Sequence, residues 1–428
     1  MINVTGKEMD DVVSEEAAAS LYRRERYLEQ LRPFRDDAGL IKVVTGVRRC
    51  GKSSLLRTVA GDLLSQGTFA GNVAELNLDR REYRHVREAD QLDALIEERL
   101  RGTHGMRYLF INEVQNVPGF EPVVNAWREE GDVSIFLTGS NSYLLSGELA
   151  TKLTGRYIEV GMFTFSFAEY LGMRRFLGKP DEPMAASFRD WLSFGGFPKS
   201  VEYDAPEARE RYVGDVIRQI FDKDITARRR VTNRDTFERV QTYLINNYAS
   251  PTNLAGIIAY LEHTQGVRIK RETLATYIRL LENAKILCRC PRFDLKSRRS
   301  LRGGEKYYLA DLGIYRVRNA DARLGYGPAL ENSLYTHLIS KGYQVSVGRI
   351  GKLECDFIAR RNERYAYIQV SLSVQDPAVE EREYRPFRHI QDSYPCYLFT
   401  LDPLPDQRDG VRHLNLMEFL AADGDLED

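Results

Sequence analysis

The sequence predicts an α/β protein whose first domain is built on a parallel sheet with flanking helices. Three observations lead to this prediction. A β-branched run, Ile41 to Val44, passes through a glycine-containing turn into a helical pattern, a second apolar strand (108–111) ends in a polar pair, and a third (134–140) ends in Thr-Gly-Ser. The chain has 428 residues, which is more than one ordinary hydrophobic core can organise. We therefore expect two or three domains.

The composition is that of a soluble globular protein, with 43% apolar and 29% charged residues. The sequence has no apolar run of the roughly 18 residues that a membrane helix needs, and its start is acidic without a signal-peptide pattern. We therefore expect a cytoplasmic protein with no membrane contact. The five cysteines include no CxxC pair and the six histidines are scattered, so no site for a protein-held transition metal is indicated.

A phosphate-binding loop is predicted after the first strand, because residues 46–53 match the pattern G-x-x-x-x-G-K-S in full. Glycines let the backbone wrap a phosphate with its N–H groups, a lysine reaches the β- and γ-phosphate oxygens, and a hydroxyl ligates magnesium. The pattern therefore predicts ATP and Mg²⁺ as cofactors, with a chance match in a glycine-containing loop as the alternative. The predicted nucleotide-binding residues are Gly46, Val47, Arg48, Arg49, Cys50, Gly51, Lys52, Ser53 and Ser54. Arg48 and Arg49 either contact phosphate or a neighbouring subunit, or are solvated.

The second strand, in YLFINEVQ (108–115), stands where an ATPase carries an acidic pair. An Asp there holds the magnesium shell and the following Glu prepares the attacking water, but here the pair is Asn112-Glu113. We predict both as catalytic residues, with Ser53 and, through water, Asn112 as the magnesium ligands. The alternative is an ordinary core strand whose end is polar by chance.

Arg156 precedes a further strand-like run in KLTGRYIEV. An arginine there is predicted to stabilise transferred charge, either in this subunit's own site or in a neighbour's. The alternative is an arginine held in a surface salt bridge.

Five segments of the chain carry a family resemblance: GVRRCGKSSLL, YLFINEVQNVPGFE, FLTGSNSYLLSGELATKLTGRY, FSFAEYL, and FGGFPKS at 194–200. Together they resemble a large set of uncharacterised prokaryotic AAA-type P-loop ATPases, and the match runs in the same order from about residue 20 to the end. In that family a helical and winged-helix segment follows the P-loop domain, and a domain of unknown function ends the chain. The resemblance implies an ASCE-type fold for the first domain.

The same resemblance assigns roles to residues. It implies that Lys52 and Ser53 bind nucleotide and magnesium, that Glu113 is the catalytic glutamate, and that Asn141 or Ser140 senses the γ-phosphate. The family more often carries Asp where this chain has Asn112. That departure bears on hydrolysis and not on nucleotide binding, so we expect slow turnover that rises in the variant Asn112→Asp.

The predicted domain order is that of the family. It runs from an N-terminal tail (1–20) through the ATPase domain (21–165), a helical connector (166–234) and a winged helix (235–312) to a restriction-endonuclease-like C-terminal domain (325–428).

The middle of the chain is basic, because residues 206–310 carry 21 Lys and Arg against 12 Asp and Glu. Three helical patterns followed by the strand KYYLAD (306–311), after a loop SRRSLRGG, favour a winged helix. Its candidate contacts to DNA phosphates are Lys270, Arg271, Arg279, Arg298, Arg299 and Arg302. The alternative is a lid that packs on protein, with its basic residues solvated.

The last third reads helix, strand, turn, strand, and this order with an acid at each of three stations is that of the PD-(D/E)xK nucleases. Glu331 and Asp356 fit the first two stations. The third reads Gln369-Val370-Ser371 in place of Glu-Val-Lys, and a serine cannot supply the cation that the chemistry needs. We therefore favour a degenerate nuclease site, retained for binding or assembly, over an active one in which Arg382 replaces the lysine.

These predictions combine into an ATP-binding AAA-type ATPase with slow hydrolysis. Its nucleotide state is coupled to a winged-helix and degenerate nuclease-like module that acts on DNA, through residues 206–310, or on a partner protein or a second copy of the chain. The alternatives are a STAND-like signalling switch, in which the bound nucleotide is itself the output, and an ATP-gated, magnesium-dependent DNA nuclease.

Overall fold

The computed structural model describes most of the chain and divides it into two compact units, residues 1–162 and 163–428. The described residues are 18–139, 152–153, 155–226, 231, 233–297, 299–319, 325–351, 353–403 and 407–426.

The first unit is built on a five-stranded sheet in which every neighbouring pair is parallel. The sheet order is β2-β3-β4-β1-β5, so β4 lies between the strand before the phosphate loop and the strand that ends in Asn112. Because the strands are parallel, the carboxyl ends of β1, β3 and β4 meet at one edge of the sheet. The strands are β1 (Ile41–Gly46), β2 (Val73–Asn77), β3 (Arg107–Asn112), β4 (Val133–Thr138) and β5 (Tyr157–Met162).

Helices cover both faces of this sheet. Leu109 and Ile111 of β3 belong to a buried apolar cluster that also includes residues of α3 and α4. Phe110, between them in the sequence, stacks on Phe136 of β4 at 4.6 Å, and Arg57 of α2 reaches Glu75 of β2. Side chains of successive strand residues point to opposite faces of the sheet, so α3 and α4 pack on one face and α2 packs on the other. The helices are α1 (Glu25–Leu31), α2 (Lys52–Ser65), α3 (Ala89–Leu100) and α4 (Phe120–Glu129).

The second unit begins with helices and continues into a long sheet. Its α-helices are α5 (Phe167–Phe176), α6 (Met184–Phe194), α7 (Pro198–Val201), α8 (Pro206–Gln219), α9 (Arg234–Asn246), α10 (Leu254–Gln265), α11 (Arg271–Asn283), α12 (Gly313–Arg318), α13 (Tyr326–Ser340), α14 (Pro377–Tyr384) and α15 (Leu416–Ala421). A π-helical turn (Ile220–Thr226) directly follows α8. The three helical patterns of the basic middle correspond to α9, α10 and α11.

One eight-stranded sheet runs through the second unit, in the order β13-β12-β11-β10-β9-β7-β8-β6. The strands are β6 (Pro251–Thr252), β7 (Leu287–Asp294), β8 (Arg299–Leu309), β9 (Gln344–Ile350), β10 (Leu353–Arg361), β11 (Arg364–Val370), β12 (Cys396–Thr400) and β13 (Val411–Asn415). The parallel pairing of β7 with β9 joins Phe293 to Gly348. Strands from the predicted winged helix and from the predicted C-terminal domain therefore share one set of backbone hydrogen bonds.

The hairpin of β7 and β8 differs from the sequence prediction. Most of the segment SRRSLRGG lies within β8, although its composition is typical of a loop. The pairing register shifts between Cys290 and Arg292, and Gly303 and Gly304 on the opposite strand have φ values of 80° and 69°. The two glycines thus form an irregularity inside a strand, where left-handed backbone is tolerated without a Cβ.

No helix in the described part of the chain has both the length and the apolar composition that crossing a bilayer requires.

Candidate functional site

The loop from Gly46 to Gly51 has the backbone of a phosphate cradle. Gly46 and Gly51 have φ values of 148° and 107°, and Arg49 adopts the left-handed value of 67°. A Cβ on Gly46 would lie 2.3 Å from the carbonyl oxygen of Met162, so no larger residue fits there. Gly46 is therefore required by the loop's own packing, and Gly51 by its positive φ value.

Lys52 opens α2 directly after this loop, and only 9% of its surface is exposed. Its Nζ donates hydrogen bonds to the carbonyl oxygens of Gly46 at 3.0 Å and of Val47 at 3.4 Å. The ammonium group is thus held over the loop that would wrap a phosphate. Ser53 and Ser54 follow in the first turn of the helix, where both are partly buried. A loop of backbone donors, a lysine and a helix N-terminal hydroxyl is the donor set that a magnesium nucleotide needs.

The remaining loop residues divide by exposure. Val47 and Cys50 are buried, and the carbonyl oxygen of Cys50 accepts a hydrogen bond from Arg24 at 3.0 Å. Arg48 is half-buried, whereas Arg49 is exposed at the tip of the loop. Of the two arginines, Arg49 is the better placed to meet a ligand or a neighbouring molecule from solvent.

Asn112 is the last residue of β3 and is fully buried between two polar neighbours. The Thr138 hydroxyl, at the end of β4, donates to Asn112 Oδ1 at 3.1 Å, and Asn112 Nδ2 donates to Glu75 Oε1 at 3.3 Å. A carboxylate can only accept, so the amide nitrogen must face Glu75 and the carbonyl oxygen must face Thr138. The orientation of Asn112 is therefore fixed by two neighbouring strands.

Glu113 directly follows in the left-handed conformation, with φ at 57°. Its backbone N–H donates to the Thr138 hydroxyl oxygen at 3.3 Å, and Gln115 Nε2 donates to its carboxylate at 2.5 Å. Left-handed backbone costs a non-glycine residue about 1 kcal/mol or more and is concentrated at functional sites. Thr138 thus links both members of the Asn112-Glu113 pair to the strand between β1 and β3.

Thr138 is the described polar residue at the end of β4, whereas the predicted sensors Ser140 and Asn141 lie outside the described residues. The sequence analysis placed Thr138 in the Thr-Gly-Ser end of the third strand but selected Ser140 or Asn141 as the sensor. The signal was present, since a hydroxyl at the end of a buried strand needs a hydrogen-bond partner.

Arg156 lies at the far edge of the sheet from the phosphate loop. The backbone N–H of Ile41, at the start of β1, donates to the Arg156 carbonyl oxygen at 3.0 Å, whereas Gly46 ends β1 about 16 Å further along. The Arg156 guanidinium pairs with Glu129 at 2.7 Å, and both side chains are more than half exposed. Arg156 thus forms a surface salt bridge and lies away from this chain's own phosphate loop, and a role in a neighbouring subunit's site stays a prediction.

A second polar cluster lies in the second unit around Lys306 of β8. Lys306 Nζ lies 3.1 Å from Glu331 Oε2, 3.1 Å from Glu354 Oε1 and 3.8 Å from Asp356 Oδ1, although its side chain is only 5% exposed. The Tyr308 hydroxyl also donates to Glu331 Oε2, at 3.0 Å. The structure thus brings Glu331 and Asp356 together around Lys306, a lysine that the sequence analysis did not select, and their role as a nuclease-like site stays a prediction.

Gln369 and Ser371 lie beside this cluster with other partners. Gln369 Oε1 accepts from the Asp356 backbone N–H at 2.7 Å, and its Nε2 donates to Glu383 at 2.9 Å. The Ser371 hydroxyl donates to the Ser373 carbonyl at 3.3 Å. Arg382, the residue suggested as a replacement lysine, is 69% exposed and pairs with Glu383 at 2.6 Å. The cation next to Asp356 is therefore Lys306.

Burial sets the electrostatics of the Lys306 cluster. Burial raises the pKa of Asp356 well above its usual range, the nearby Glu331 adds to the rise, and Lys306 opposes it. Burial also raises the pKa of Glu331, again against the influence of Lys306. For Lys306 burial lowers the pKa, but the three carboxylates outweigh burial and the net change is upward. Lys306 is therefore held as an ammonium ion.

A cavity of about 850 Å³ opens beside the cluster, lined among others by Glu331, Asp356, Gln369 and Ser371. Within the described residues, no group of three or more His, Cys, Asp or Glu side chains is arranged to hold a metal ion.

The basic residues of the middle segment differ in exposure. Arg268, Lys270, Arg271 and Arg279 are exposed before and along α11, and Lys296 and Arg299 are exposed at the tip of the β7–β8 hairpin. Arg298 lies outside the described residues, and the structure does not describe the Arg302 side chain. The exposed residues could contact phosphates, whereas Lys306 of the same segment forms ion pairs with carboxylates.

Two family models match the chain. Residues 39–171 match the model of an AAA domain. Residues 185–323 match a domain of unknown function, DUF8612, which covers the segment from α6 to beyond α12.

Similarity to curated proteins extends over most of the chain. An uncharacterized protein of Haemophilus influenzae is 33% identical over 381 residues, which cover 89% of this chain and 94% of that protein. An uncharacterized protein of Methanocaldococcus jannaschii is 25% identical over 309 residues, which cover 71% of this chain and 67% of that protein.

Solved structures show a weaker likeness. Replication initiator DnaA bound to AMPPCP and single-stranded DNA is 16% identical, with coverage of 61% of this chain and 87% of that chain and a TM-score of 0.31. The Aeropyrum pernix ORC1 protein in complex with DNA is 14% identical, with coverage of 70% and 93% and a TM-score of 0.31. The assignment of the first unit rests on the AAA domain match and on its own strand order.

Proposed function

Because the chain belongs to one family with the Haemophilus influenzae protein and its residues 39–171 match an AAA domain, we propose that it is an AAA-type ATPase that binds ATP with Mg²⁺ and turns it over slowly. Lys52 and the loop backbone hold the phosphates, Ser53 ligates magnesium, and Glu113 orients the attacking water. Nucleotide-dependent activity of the AAA type follows from the domain match.

The observation that carries the proposal is the geometry at one sheet edge. The phosphate loop leaves β1 there, and Asn112 and Glu113 leave β3 there. Thr138 of β4, the strand between them, bonds to both members of the pair. In ATPases of this class the nucleotide, its magnesium ion and the attacking water meet at this edge.

Slow turnover follows from Asn112. Magnesium supplies charge neutralisation on the β- and γ-phosphates when it is bound. Asn112 can accept hydrogen bonds from the water molecules of that ion through Oδ1, but it brings no charge of its own, and Oδ1 already accepts from Thr138. This observation favours a second candidate, a signalling switch in which nucleotide is bound and held. Steady-state turnover with and without DNA separates the two, because a switch shows no stimulation.

For the second unit we propose a winged helix followed by a degenerate nuclease-like domain that acts on DNA or on a partner protein. The helix and strand order α9, β6, α10, α11, β7, β8 supports a winged helix. The order α13, β9, β10, β11, with Glu331 and Asp356 brought together, supports the nuclease-like arrangement. Lys306 lies beside both carboxylates and supplies the cation that Ser371 does not, so a magnesium-dependent nuclease stays the alternative to a degenerate domain.

The variant Lys52→Ala tests the nucleotide site. Loss of a charge-assisted contact to phosphate should weaken the affinity for a fluorescent ATP analogue about a hundredfold or more. The measurement is an equilibrium titration in the presence of Mg²⁺. Lys199→Ala is the matched control, because Lys199 is an exposed lysine of the second unit that pairs with Glu202. Equal affinity in Lys52→Ala and the control would contradict the assignment of the phosphate loop.

A further inference from the structure

We propose that Glu75 is a positioning residue of the nucleotide site, and that its carboxylate supplies, through Asn112, the negative charge that the magnesium site lacks at position 112. This inference rests on the proposed function, because it assumes that magnesium nucleotide binds at the edge of the first sheet.

The position of Glu75 is the first step. Glu75 lies in the middle of β2, which pairs in parallel with β3, and its side chain is only 9% exposed. Its Oε1 accepts from Asn112 Nδ2 at 3.3 Å and from Arg57 Nε at 3.2 Å. A buried charged carboxylate is costly unless it is partnered, and here one of its partners is the residue that replaces the expected Asp.

Arg57 connects Glu75 to the helix that follows the phosphate loop. Arg57 follows Ser53 by four residues in α2, so the two side chains lie on one side of that helix. Arg57 reaches Glu75, and Glu75 reaches Asn112. The pair of Glu75 and Asn112 therefore lies on the sheet face that α2 covers, the same helix whose first turn carries the predicted magnesium ligand.

The Glu75 carboxylate changes the electrostatics of the Asn112 amide. A carboxylate that accepts from an amide N–H polarises the amide, which makes its carbonyl oxygen a stronger acceptor. Asn112 Oδ1 points away from Glu75 toward Thr138 at the sheet edge. Polarisation by Glu75 thus makes Asn112 Oδ1 more negative at the place where a ligand Asp would stand. The full negative charge of Glu75 lies on the other side of the Asn112 amide, in an interior that screens it weakly.

This arrangement reverses the expectation for Asn112→Asp. An Asp at position 112 would place two carboxylates within hydrogen-bonding distance of each other, and like charges so close disfavour the charged form of one of them. We therefore expect the single variant to lose thermal stability and to gain no turnover. The double variant Glu75→Gln with Asn112→Asp exchanges the two side-chain types, restores an amide–carboxylate pair, and keeps one negative charge.

The experiment is a charge-relocation cycle of the wild type, Glu75→Gln, Asn112→Asp and the double variant. For each we would measure the affinity of a fluorescent ATP analogue as a function of Mg²⁺ concentration, the melting temperature without nucleotide, and steady-state turnover. We expect Glu75→Gln to raise about tenfold the Mg²⁺ concentration at which the affinity for the ATP analogue reaches half of its maximal increase. The double variant should return to within about threefold of wild type, and only Asn112→Asp should melt markedly below it.

Arg57→Met separates this role from simple pairing of Glu75 with Arg57. Removal of the guanidinium leaves the Glu75 carboxylate with Asn112 as its partner. Arg57→Met should therefore lower the Mg²⁺ concentration needed for half-maximal tightening, whereas Glu75→Gln should raise it. The inference is overturned if Glu75→Gln has the Mg²⁺ dependence of wild type, if Arg57→Met and Glu75→Gln change it in the same direction, or if Asn112→Asp alone tightens Mg²⁺ binding with a wild-type melting temperature. A wild-type protein that binds no magnesium nucleotide would instead contradict the proposed function itself.

Discussion

At the scale of single residues, the chemistry of a side chain in this protein is decided by its neighbours. Asn112 cannot reverse its amide, because a carboxylate faces one end and a hydroxyl donor the other. Lys306 belongs to the basic middle of the chain, yet its ammonium group is buried among Glu331, Glu354 and Asp356. Residue type alone would assign the first to a weakened metal site and the second to a nucleic-acid surface.

Lys306→Met should strongly destabilise the second unit. Removal of one partner from a buried ion pair leaves uncompensated charge and costs about 3–5 kcal/mol. Lys296→Met is the control, because Lys296 is exposed in the hairpin and its replacement should change stability by no more than about 0.5 kcal/mol. Thermal unfolding followed by circular dichroism measures both, and equal losses would contradict the role of Lys306.

The same pair of variants makes a prediction about pH. Without Lys306 the folded-state pKa values of Glu331 and Asp356, already raised by burial, rise further above their unfolded values. A carboxyl group with a raised folded pKa gives its stability at low pH and loses it as pH rises through that pKa. The melting deficit of Lys306→Met should therefore be smaller at pH 5 than at pH 8. A deficit independent of pH would show that lost packing, and not charge, is the cause.

At the scale of secondary structure elements, the hairpin of β7 and β8 divides the basic segment between two environments. Its inner part pairs Lys306 with Cys290, which is fully buried, and places the lysine against α13. Its outer end and the start of α11 carry exposed cations instead. Composition counts all of these residues as one basic region, whereas only the exposed group is available to phosphates.

The exposed group before and at the start of α11 should contribute to DNA binding. The triple variant Arg268→Ala, Lys270→Ala, Arg271→Ala removes up to three phosphate contacts, which should reduce the salt dependence of log affinity by about 0.9 for each contact. Fluorescence anisotropy with a duplex at several salt concentrations measures this slope. A control with equal charge change replaces Arg81, Arg84 and Arg87, which are exposed in the first unit. An unchanged slope in the α11 variant would favour a protein-packing lid.

At the scale of the whole molecule, the second unit is joined by one continuous sheet. The boundary predicted between residues 312 and 325 falls between β8 and β9, and both of these strands are hydrogen-bonded to β7. A cut at that boundary would expose an edge of β9 and remove Lys306 from Glu331. Exposed strand edges promote association with other chains.

A fragment of residues 163–428 should therefore fold and remain monomeric, whereas residues 325–428 alone should aggregate or remain incompletely folded. The first fragment keeps all eight strands together with Lys306, and the second keeps only β9 to β13. Gel filtration and circular dichroism of the two fragments measure the difference. A stable, monomeric 325–428 fragment would show that its fold does not depend on the β7–β9 pairing.

The sequence by itself determined the local features of this protein. The phosphate loop, the strand that ends in Asn112-Glu113, and the helices and strands that carry Glu331 and Asp356 were all predicted, because each depends on the order of residues over a short stretch. Segment bounds were less accurate where composition misled, as in the glycine-containing part of β8. The match of residues 39–171 to an AAA domain and the similarity to the Haemophilus influenzae protein likewise depend on the order of residues along the chain.

Only the tertiary structure decided which residues complete each cluster. Glu75 meets Asn112 because β2 lies beside β3, and Thr138 meets both members of the Asn112-Glu113 pair because β4 is placed between β1 and β3. Lys306 meets Glu331 because the β7–β8 hairpin belongs to the same sheet as the C-terminal strands. Each of these contacts joins segments at least 25 residues apart in the chain. No periodicity or motif encodes such a pairing, because it arises from strand order, which is set by the packing of the whole core.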